Sequence, residues 1–300
     1  MKAIQYDRHG PPEVMELVEL APPRPGAGQI QIRVAAAGVN PADYKWRNGF
    51  NLRYYPLPLP HVPGYDIAGE VSAIGDGVSG FTVGDRVAAT VNGAYAEYAV
   101  ADAESCAPIP DGVDFTQAAA LPCAALTGVQ LVEEGLAPTA GQTVLVTGAT
   151  GGVGRFAALA AQRLGARVIV AVRDEYADEA RSLGFHEVIS FDGPLPEDLS
   201  FDHVADTVGG AKVARLCGKL VPGGKIMTVA TTPIEGAELP AEPKVFGYHA
   251  DGKRLGHILN DIATGVMVMP VAKTLPLASA AKAHEAMEQG GIGGRIVLLT

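Results

Sequence analysis

The sequence predicts an α/β fold: a doubly wound parallel sheet joined to a smaller, β-rich portion. Three observations carry this. Residues 143–173 read as strand, glycine turn, helix and strand. From Asp111 onward strand and helix patterns alternate, which is the order of a parallel sheet. Before Asp111 the chain consists of short strand patterns cut by Gly and Pro turns, the texture of a small sandwich or barrel.

Elements follow in order. Gln29 to Ala35 alternates Ile30, Ile32 and Val34 against Gln31 and Arg33, a strand with one buried face. Asp66 to Ile74, Arg86 to Val91 and Tyr95 to Val100 are further strands. Phe115 to Leu121 and Leu126 to Glu134 read as helices. Val144 to Val146 is an apolar run suited to burial on both faces. The turn that follows holds Gly148, Gly151, Gly152 and Gly154, and Val153, Phe156, Ala157, Ala160 and Leu164 then recur at helical spacing up to Gly165. Val168 to Val172 is the second strand of this unit. A helix over Glu175 to Leu183, strands at Glu187–Phe191 and His203–Thr207, and a helix over Ala211–Leu220 stopped by Pro222-Gly223-Gly224 come next. Strands at Lys225–Ala230 and Val245–Tyr248, helices at Leu255–Ala263 and Ala278–Gln289, and a last strand at Arg295–Leu299 complete the chain.

The glycine spelling alone is a weak signal, since 37 of the 300 residues are glycine. Gly75, Gly77 and Gly80 in GDGVSG match the usual G-x-G-x-x-G string, yet FTVGDRV follows with turn chemistry and no helical stripe. The stretch at 148–154 is credible because a strand precedes it and a helix follows. Glycines there let backbone approach a diphosphate, and the helix N-terminus presents free N–H groups. Gly148, Thr150, Gly151, Gly152, Val153 and Gly154 are therefore the expected dinucleotide-binding turn.

Bulk properties narrow the function. The net charge of −10 argues against nucleic acid or an anionic membrane as the main partner. No apolar run reaches the length of a membrane span, and the start lacks a signal-peptide core. Cys106, Cys123 and Cys217 are widely spaced and odd in number, which fits free thiols and a cytoplasmic location. They read best as small buried hydrophobes.

Seven segments together, AAGVNPADYKWRNG, VPGYDIAGEV, GDRV, AALPCAALTG, VLVTGATGGVG, DTVGG and GGRIVLL, resemble the medium-chain dehydrogenase/reductases. The likeness is to the zinc-free branch of quinone oxidoreductases, zeta-crystallin-like proteins and alkenal/enone reductases. It implies a GroES-like β-rich domain over residues 1–114 and 266–300, wrapped around a Rossmann domain over 115–265, with the active site in the cleft between them. It also implies a homodimer formed through the Val245–Tyr248 strand. Zinc-dependent relatives carry a cysteine and a histidine where this chain has Asn40 and Tyr65, both poor zinc ligands, so no metal is expected. Among the histidines His61 is nearest to that cleft and reads better as a loop histidine than as a ligand.

Arg173 lies 19 residues beyond Gly154, where an acidic residue would select NAD by its ribose hydroxyl. A guanidinium favours the 2′-phosphate of NADPH, whereas a one-residue slip would place Asp174 there and favour NADH. Tyr176 and Arg181 are placed either beside the adenosine or on an exposed helix face. Without a metal the acceptor must be polarised by hydrogen bonds. Asn40 reads as the donor to the substrate oxygen, or equally as a turn residue before Pro41. The resemblance places Tyr44 and Lys45 near the pocket, as a proton donor and a cation for enolate charge, or as a helix-face pair. The resemblance also implies that Thr127, Val208, Gly209, Val229 and Ala230 line the nicotinamide, that Phe246 and Gly247 bind its carboxamide through backbone groups, and that Arg295 approaches the coenzyme from the tail. The aromatic stretch Tyr44, Trp46, Phe50, Tyr54 and Tyr55 reads as a flat wall for an acceptor or as packing beneath a loop. The leading expectation is an NADPH-dependent reductase of quinones or enals and enones. The alternatives are an enoyl reductase acting on acyl or polyketide chains and an NADPH-binding protein without turnover; a zinc alcohol dehydrogenase comes last.

Overall fold

A computed structural model describes residues 1–53, 56–235 and 238–300. Tyr54 and Tyr55 of the expected aromatic wall lie outside the described residues.

The chain begins with β1 (Lys2–Gln5), β2 (Glu16–Glu19) and β3 (Gln29–Val39), then α1 (Pro41–Arg47), β4 (Asp66–Ile74), β5 (Arg86–Thr90), β6 (Tyr98–Asp102), β7 (Cys106–Pro108) and α2 (Phe115–Ala119). Next come α3 (Pro122–Gln130), which runs on into one wider helical turn over Leu131–Leu136, β8 (Thr143–Thr147), α4 (Gly152–Arg163), β9 (Arg167–Val172), α5 (Ala177–Ser182) and β10 (Glu187–Ser190). The rest is β11 (Phe201–Asp206), α6 (Gly210–Cys217), β12 (Leu220–Thr228), β13 (Pro243–Val245), α7 (Gly252–Ala263), β14 (Val271–Pro276), α8 (Ala280–Gln289) and β15 (Arg295–Leu299).

Two compact units result. The first holds Met1–Cys123 and Ala250–Thr300, the second Ala124–His249. Both seams differ from the expected 114/115 and 265/266. The first moves because α2 packs on β3 and β4: a Cβ on Gly38 of β3 would lie 2.2 Å from the Ala119 carbonyl oxygen. The second moves because α7 packs on β7: a Cβ on Gly252 would lie 2.3 Å from the Cys106 carbonyl oxygen. Helix periodicity shows an apolar stripe but not which sheet receives it.

In the first unit β14, β15, β3, β4, β5 and β7 form one sheet, with β6 also on β3. Ile30, Ile32 and Val34 point into the core as the alternation predicts. The strand runs past the expected Ala35 to Val39, because Ala36, Ala37 and Val39 are all buried, with α2 against this end. Short strands β1, β2, β7 and β14 carry too little alternation to show in the sequence, and β6 starts at Tyr98 rather than Tyr95.

In the second unit six parallel strands lie in the order β10-β9-β8-β11-β12-β13. The first strand, β8, sits centrally; the chain winds outward through β9 and β10, then returns to β11 on the other side. That reversal leaves a crevice at the carboxyl ends of β8 and β11. Val144, Leu145 and Val146 are fully buried, as an all-apolar central strand requires. Two boundaries are corrected here: the strand expected at Val245–Tyr248 is β13 at Pro243–Val245, and α6 ends at Cys217 with β12 already starting at Leu220 and running through Pro222-Gly223-Gly224. Close approach explains the glycine, since a Cβ on Gly224 would lie 2.4 Å from the Asp202 carbonyl oxygen. Among the described residues no helix is long and apolar enough to cross a membrane.

Candidate functional site

The turn after β8 is shaped by contact. Gly148 has φ +68°, a conformation that favours glycine, and its N–H donates to the Ala171 carbonyl at 2.8 Å. Gly151 N–H donates back to the Gly148 carbonyl at 2.9 Å and closes the turn. A Cβ on Gly154 would lie 2.2 Å from that same carbonyl oxygen, and one on Gly128 would lie 2.3 Å from the Val153 carbonyl oxygen. Glycine at 154 and 128 thus brings the start of α4 against both the turn and α3. Arg155, buried in the first turn of α4, donates to the carbonyls of Thr150 and Gly151 and pairs with Glu179 at 3.1 Å. Sequence reading passed over this brace, since an arginine in an amphipathic helix ordinarily faces water.

Asp206 at the end of β11 is the second organiser. Its fully buried carboxylate accepts from Thr147 Oγ1 at 2.7 Å, Thr228 Oγ1 at 2.6 Å, and the N–H groups of Val208 and Gly209, each at 3.0 Å. It ties the ends of β8, β11 and β12 together and sets the path of the next turn. Its signal in the sequence is the motif DTVGG, which this aspartate opens.

A cavity of about 450 Å³ opens between these turns. Gly148, Thr150 and Gly151 form its floor, Arg173 and Tyr176 enter from the loop after β9, and Val208 and Lys212 enter from the α6 side. Its size lies in the range of small-ligand sites. The Arg173 guanidinium sits 4.7 Å from the Tyr176 ring centroid, pairs with Glu175 at 3.0 Å and donates to the Tyr176 hydroxyl at 2.9 Å. Asp174 does not line this cavity. Nor do Thr127, Val229, Ala230, Phe246 or Gly247. Thr127 is buried on α3. Val229 N–H donates to the Asp206 carbonyl, and Ala230 N–H to Thr228 Oγ1. Phe246 hydrogen-bonds through its N–H to the Thr228 carbonyl, and its ring lines a separate cavity of about 500 Å³ with Gly135 and Lys225.

The first unit holds a different cluster. Asn40 caps α1 and is 2% exposed. Its Nδ2 donates to Asp66 Oδ2 at 2.9 Å, while its Oδ1 accepts from Arg295 Nη2 at 2.5 Å. Arg295 also lies 3.6 Å from Asp66. Arg295, expected to approach the coenzyme from the tail, donates to Asn40 and stands beside Asp66, because the last strand pairs directly with β3 and brings residue 295 beside the start of α1. Burial pushes the Asp66 carboxyl up to about 6 despite the opposing pull of Arg295. Asp43, one turn on, accepts from Asn40 N–H at 2.9 Å and the Tyr95 hydroxyl at 2.8 Å; burial lifts its carboxyl to about 7. The Tyr95 hydroxyl lies 3.2 Å from His284 Nε2, and burial drives that imidazole down to about 3.

Tyr44 and Lys45 are half-buried on α1, with Lys45 Nζ 5.7 Å from the Tyr44 ring centroid. Burial raises the Tyr44 phenol and lowers the Lys45 ammonium. His61 packs edge-on against Tyr6 at 5.4 Å and exchanges backbone hydrogen bonds with it, which accounts for it as a loop histidine. Cys106 and Cys217 are buried thiols pushed up to about 12, and Cys106, Cys123 and Cys217 form no disulfide.

Comparison with known proteins agrees with this geometry. Residues 26–111 match the family described as alcohol dehydrogenase GroES-like domain, and residues 183–298 match that described as zinc-binding dehydrogenase. The quinone oxidoreductase of Pseudomonas aeruginosa is 32% identical over 99% of this chain and 99% of its own. Among solved structures, a mycobacterial protein complexed with NADPH superposes with a TM-score of 0.81 at 28% identity, covering both chains fully. An NAD-dependent alcohol dehydrogenase superposes with 0.86 at 31% identity, again over the whole of both chains.

Zinc does not fit the residues present. The Arg295 guanidinium already stands against Asn40 and Asp66, so a divalent cation there would face a like charge. Among the described residues no three His, Cys, Asp or Glu side chains are grouped to hold a metal ion. With this sequence match over nearly its whole length, a GroES-like unit and a six-stranded parallel nucleotide-type sheet, the chain belongs to the quinone oxidoreductase family of the medium-chain dehydrogenase/reductases, which are oxidoreductase enzymes.

Proposed function

We propose that this protein is an NADPH-dependent, zinc-independent reductase that delivers hydride to a quinone or to the β-carbon of an α,β-unsaturated carbonyl. The observation that carries the cofactor choice is Arg173 lining the cavity above the Gly148 turn while Asp174 does not. Structural neighbours use either nicotinamide coenzyme, so the choice rests on this chain's own residues. The N–H groups at the start of α4 and the glycine turn bind the diphosphate, and Arg173 receives the 2′-phosphate. Thr127, Val229 and Ala230 are proposed along the nicotinamide, with Phe246 and Gly247 at its carboxamide. Bound NADPH supplies the hydride.

The chain's own groups then handle the acceptor. Asn40 has one amide hydrogen beyond its bond to Asp66, and that hydrogen is proposed to polarise the acceptor oxygen. Tyr44 keeps its proton at neutral pH and can donate it, whereas Lys45 holds its proton less firmly than a solvated lysine. A homodimer is proposed through β13, which ends the six-stranded sheet and exposes Val245.

An NADPH-oxidation screen across quinones, 2-alkenals and enoyl thioesters tests the reading. Turnover with quinones or enals supports it. Turnover confined to enoyl thioesters would make the protein an acyl-chain enoyl reductase, and tight NADPH binding without oxidation of any acceptor would make it a non-catalytic binder.

A further inference from the structure

We infer that Lys212 is a second cation for the 2′-phosphate of the coenzyme, lining the same cavity as Arg173, and that Asp192 is the carboxylate the phosphate displaces from it. This rests on the proposed NADPH reading and adds a specificity residue to it.

A dinucleotide whose diphosphate lies on the 148–154 turn extends its adenosine toward the loop after β9. The same cavity is lined by Arg173 and Tyr176 from that loop and by Lys212 from the first turn of α6. Lys212 Nζ lies 2.7 Å from Asp192 Oδ2. The position of Asp192 is fixed from α6 itself: Arg215, one turn after Lys212, donates to the carbonyls of Phe191 at 2.7 Å and Gly193 at 3.0 Å. Phe191 also lines the cavity and is buried. The loop is thus clamped to α6 so that Asp192 meets Lys212 at the rim.

Two cations line the cavity, each beside a carboxylate: Arg173 with Glu175 at 3.0 Å, and Lys212 with Asp192 at 2.7 Å. All four side chains are more than half exposed, so neither pair holds its cation strongly. A phosphate carrying nearly two negative charges competes well for both cations. With Lys212 gone, the Asp192 carboxylate would stand against the 2′-phosphate uncompensated. Unphosphorylated ribose offers no such charge, so Lys212 should matter to one ligand only.

The test is calorimetric titration of the full chain with 2′,5′-ADP and with 5′-AMP. Lys212→Ala is expected to weaken 2′,5′-ADP by about tenfold, the effect of losing one nearby cation at an exposed site, while changing 5′-AMP by less than about twofold. Asp192→Asn is expected to tighten 2′,5′-ADP alone, and the difference between ligands should shrink in higher salt. Equal weakening of both ligands by Lys212→Ala, or no weakening of 2′,5′-ADP while Arg173→Ala abolishes the preference, overturns the role of Lys212 and leaves the NADPH reading standing. A wild-type chain that binds both ligands alike overturns the NADPH reading and this inference with it.

Discussion

Replacing Gly154 with alanine separates the two jobs glycine does in the dinucleotide turn. Gly154 has ordinary helical backbone, so alanine there gains about 1 kcal/mol of helix propensity. Its methyl, however, would lie 2.2 Å from the Gly148 carbonyl oxygen, where ordinary contact begins at 3.4 Å. The helix and the turn must therefore separate by about 1.2 Å, the difference between those distances. Neither neighbour yields easily: Gly148 is tied to Ala171 and Gly151, and α4 is pressed against Val153's neighbour Gly128 on α3. Overpacking of this kind costs about 1–3 kcal/mol, more than the propensity gain. Gly154→Ala should melt at a lower temperature and lose at least roughly tenfold in NADPH affinity, about 1.4 kcal/mol. Gly151→Ala meets only the Gly148 carbonyl oxygen at 3.1 Å. It should keep its melting temperature and lose affinity, because its methyl obstructs the diphosphate rather than the fold. Thermal melts by circular dichroism and NADPH fluorescence titrations read both effects. Wild-type melting and wild-type affinity in Gly154→Ala would refute the claim that close helix–strand packing shapes this turn.

Other predictions probe the remaining parts of the site. Arg173→Asp should raise KM for NADPH far more than for NADH; equal rises would remove Arg173 from the 2′-phosphate. Asn40→Ala should lower kcat in steady-state assays while NADPH affinity, measured by titration, stays put, and a loss confined to coenzyme binding would contradict its place at the acceptor. Asp206→Ala leaves two hydroxyls and two N–H groups without their acceptor and should destabilise the chain by about 3 kcal/mol in denaturant unfolding, with a loss below about 1 kcal/mol counting against the strand-end tie. Asp43 binds its proton more tightly folded, near 7, than unfolded, near 3.8. Its contribution to stability is therefore present at low pH and is lost as pH rises through that window. His284, lowered to about 3, acts in the opposite sense between about 3 and 6.5. Asp43→Asn should thus gain stability relative to wild type between pH 5 and pH 8 in parallel melts, and a constant offset across that range would contradict the raised carboxyl.

Particular residues show why some features were legible in the chain and others were not. Val144 to Val146, flanked by a glycine turn and an amphipathic helix, announced a central parallel strand, because such a strand is apolar on both faces. The GDGVSG stretch was recognisable as a turn, and Gly77 and Gly80 do have positive φ there. By contrast, the contacts of Arg295 with Asn40 and Asp66 were not legible. Nothing local distinguishes those partners, which are more than two hundred residues away in sequence. Lys212 and Arg155 carry no local mark of their partners, since Asp192 and Glu179 lie 20 and 24 residues away in sequence.

The sequence by itself determined the order of strands and helices and the glycine turn, since these depend on local periodicity and on backbone freedom within a few residues. It also determined the family, through motifs spread along the chain. Only the tertiary structure decided which unit α2 and α7 join, which carboxylates are buried, and which cations face the cavity. Those depend on pairings between distant segments: β15 against β3, or the loop after β10 clamped to α6. The balance between burial and partner that sets each charge exists only once such pairings have formed.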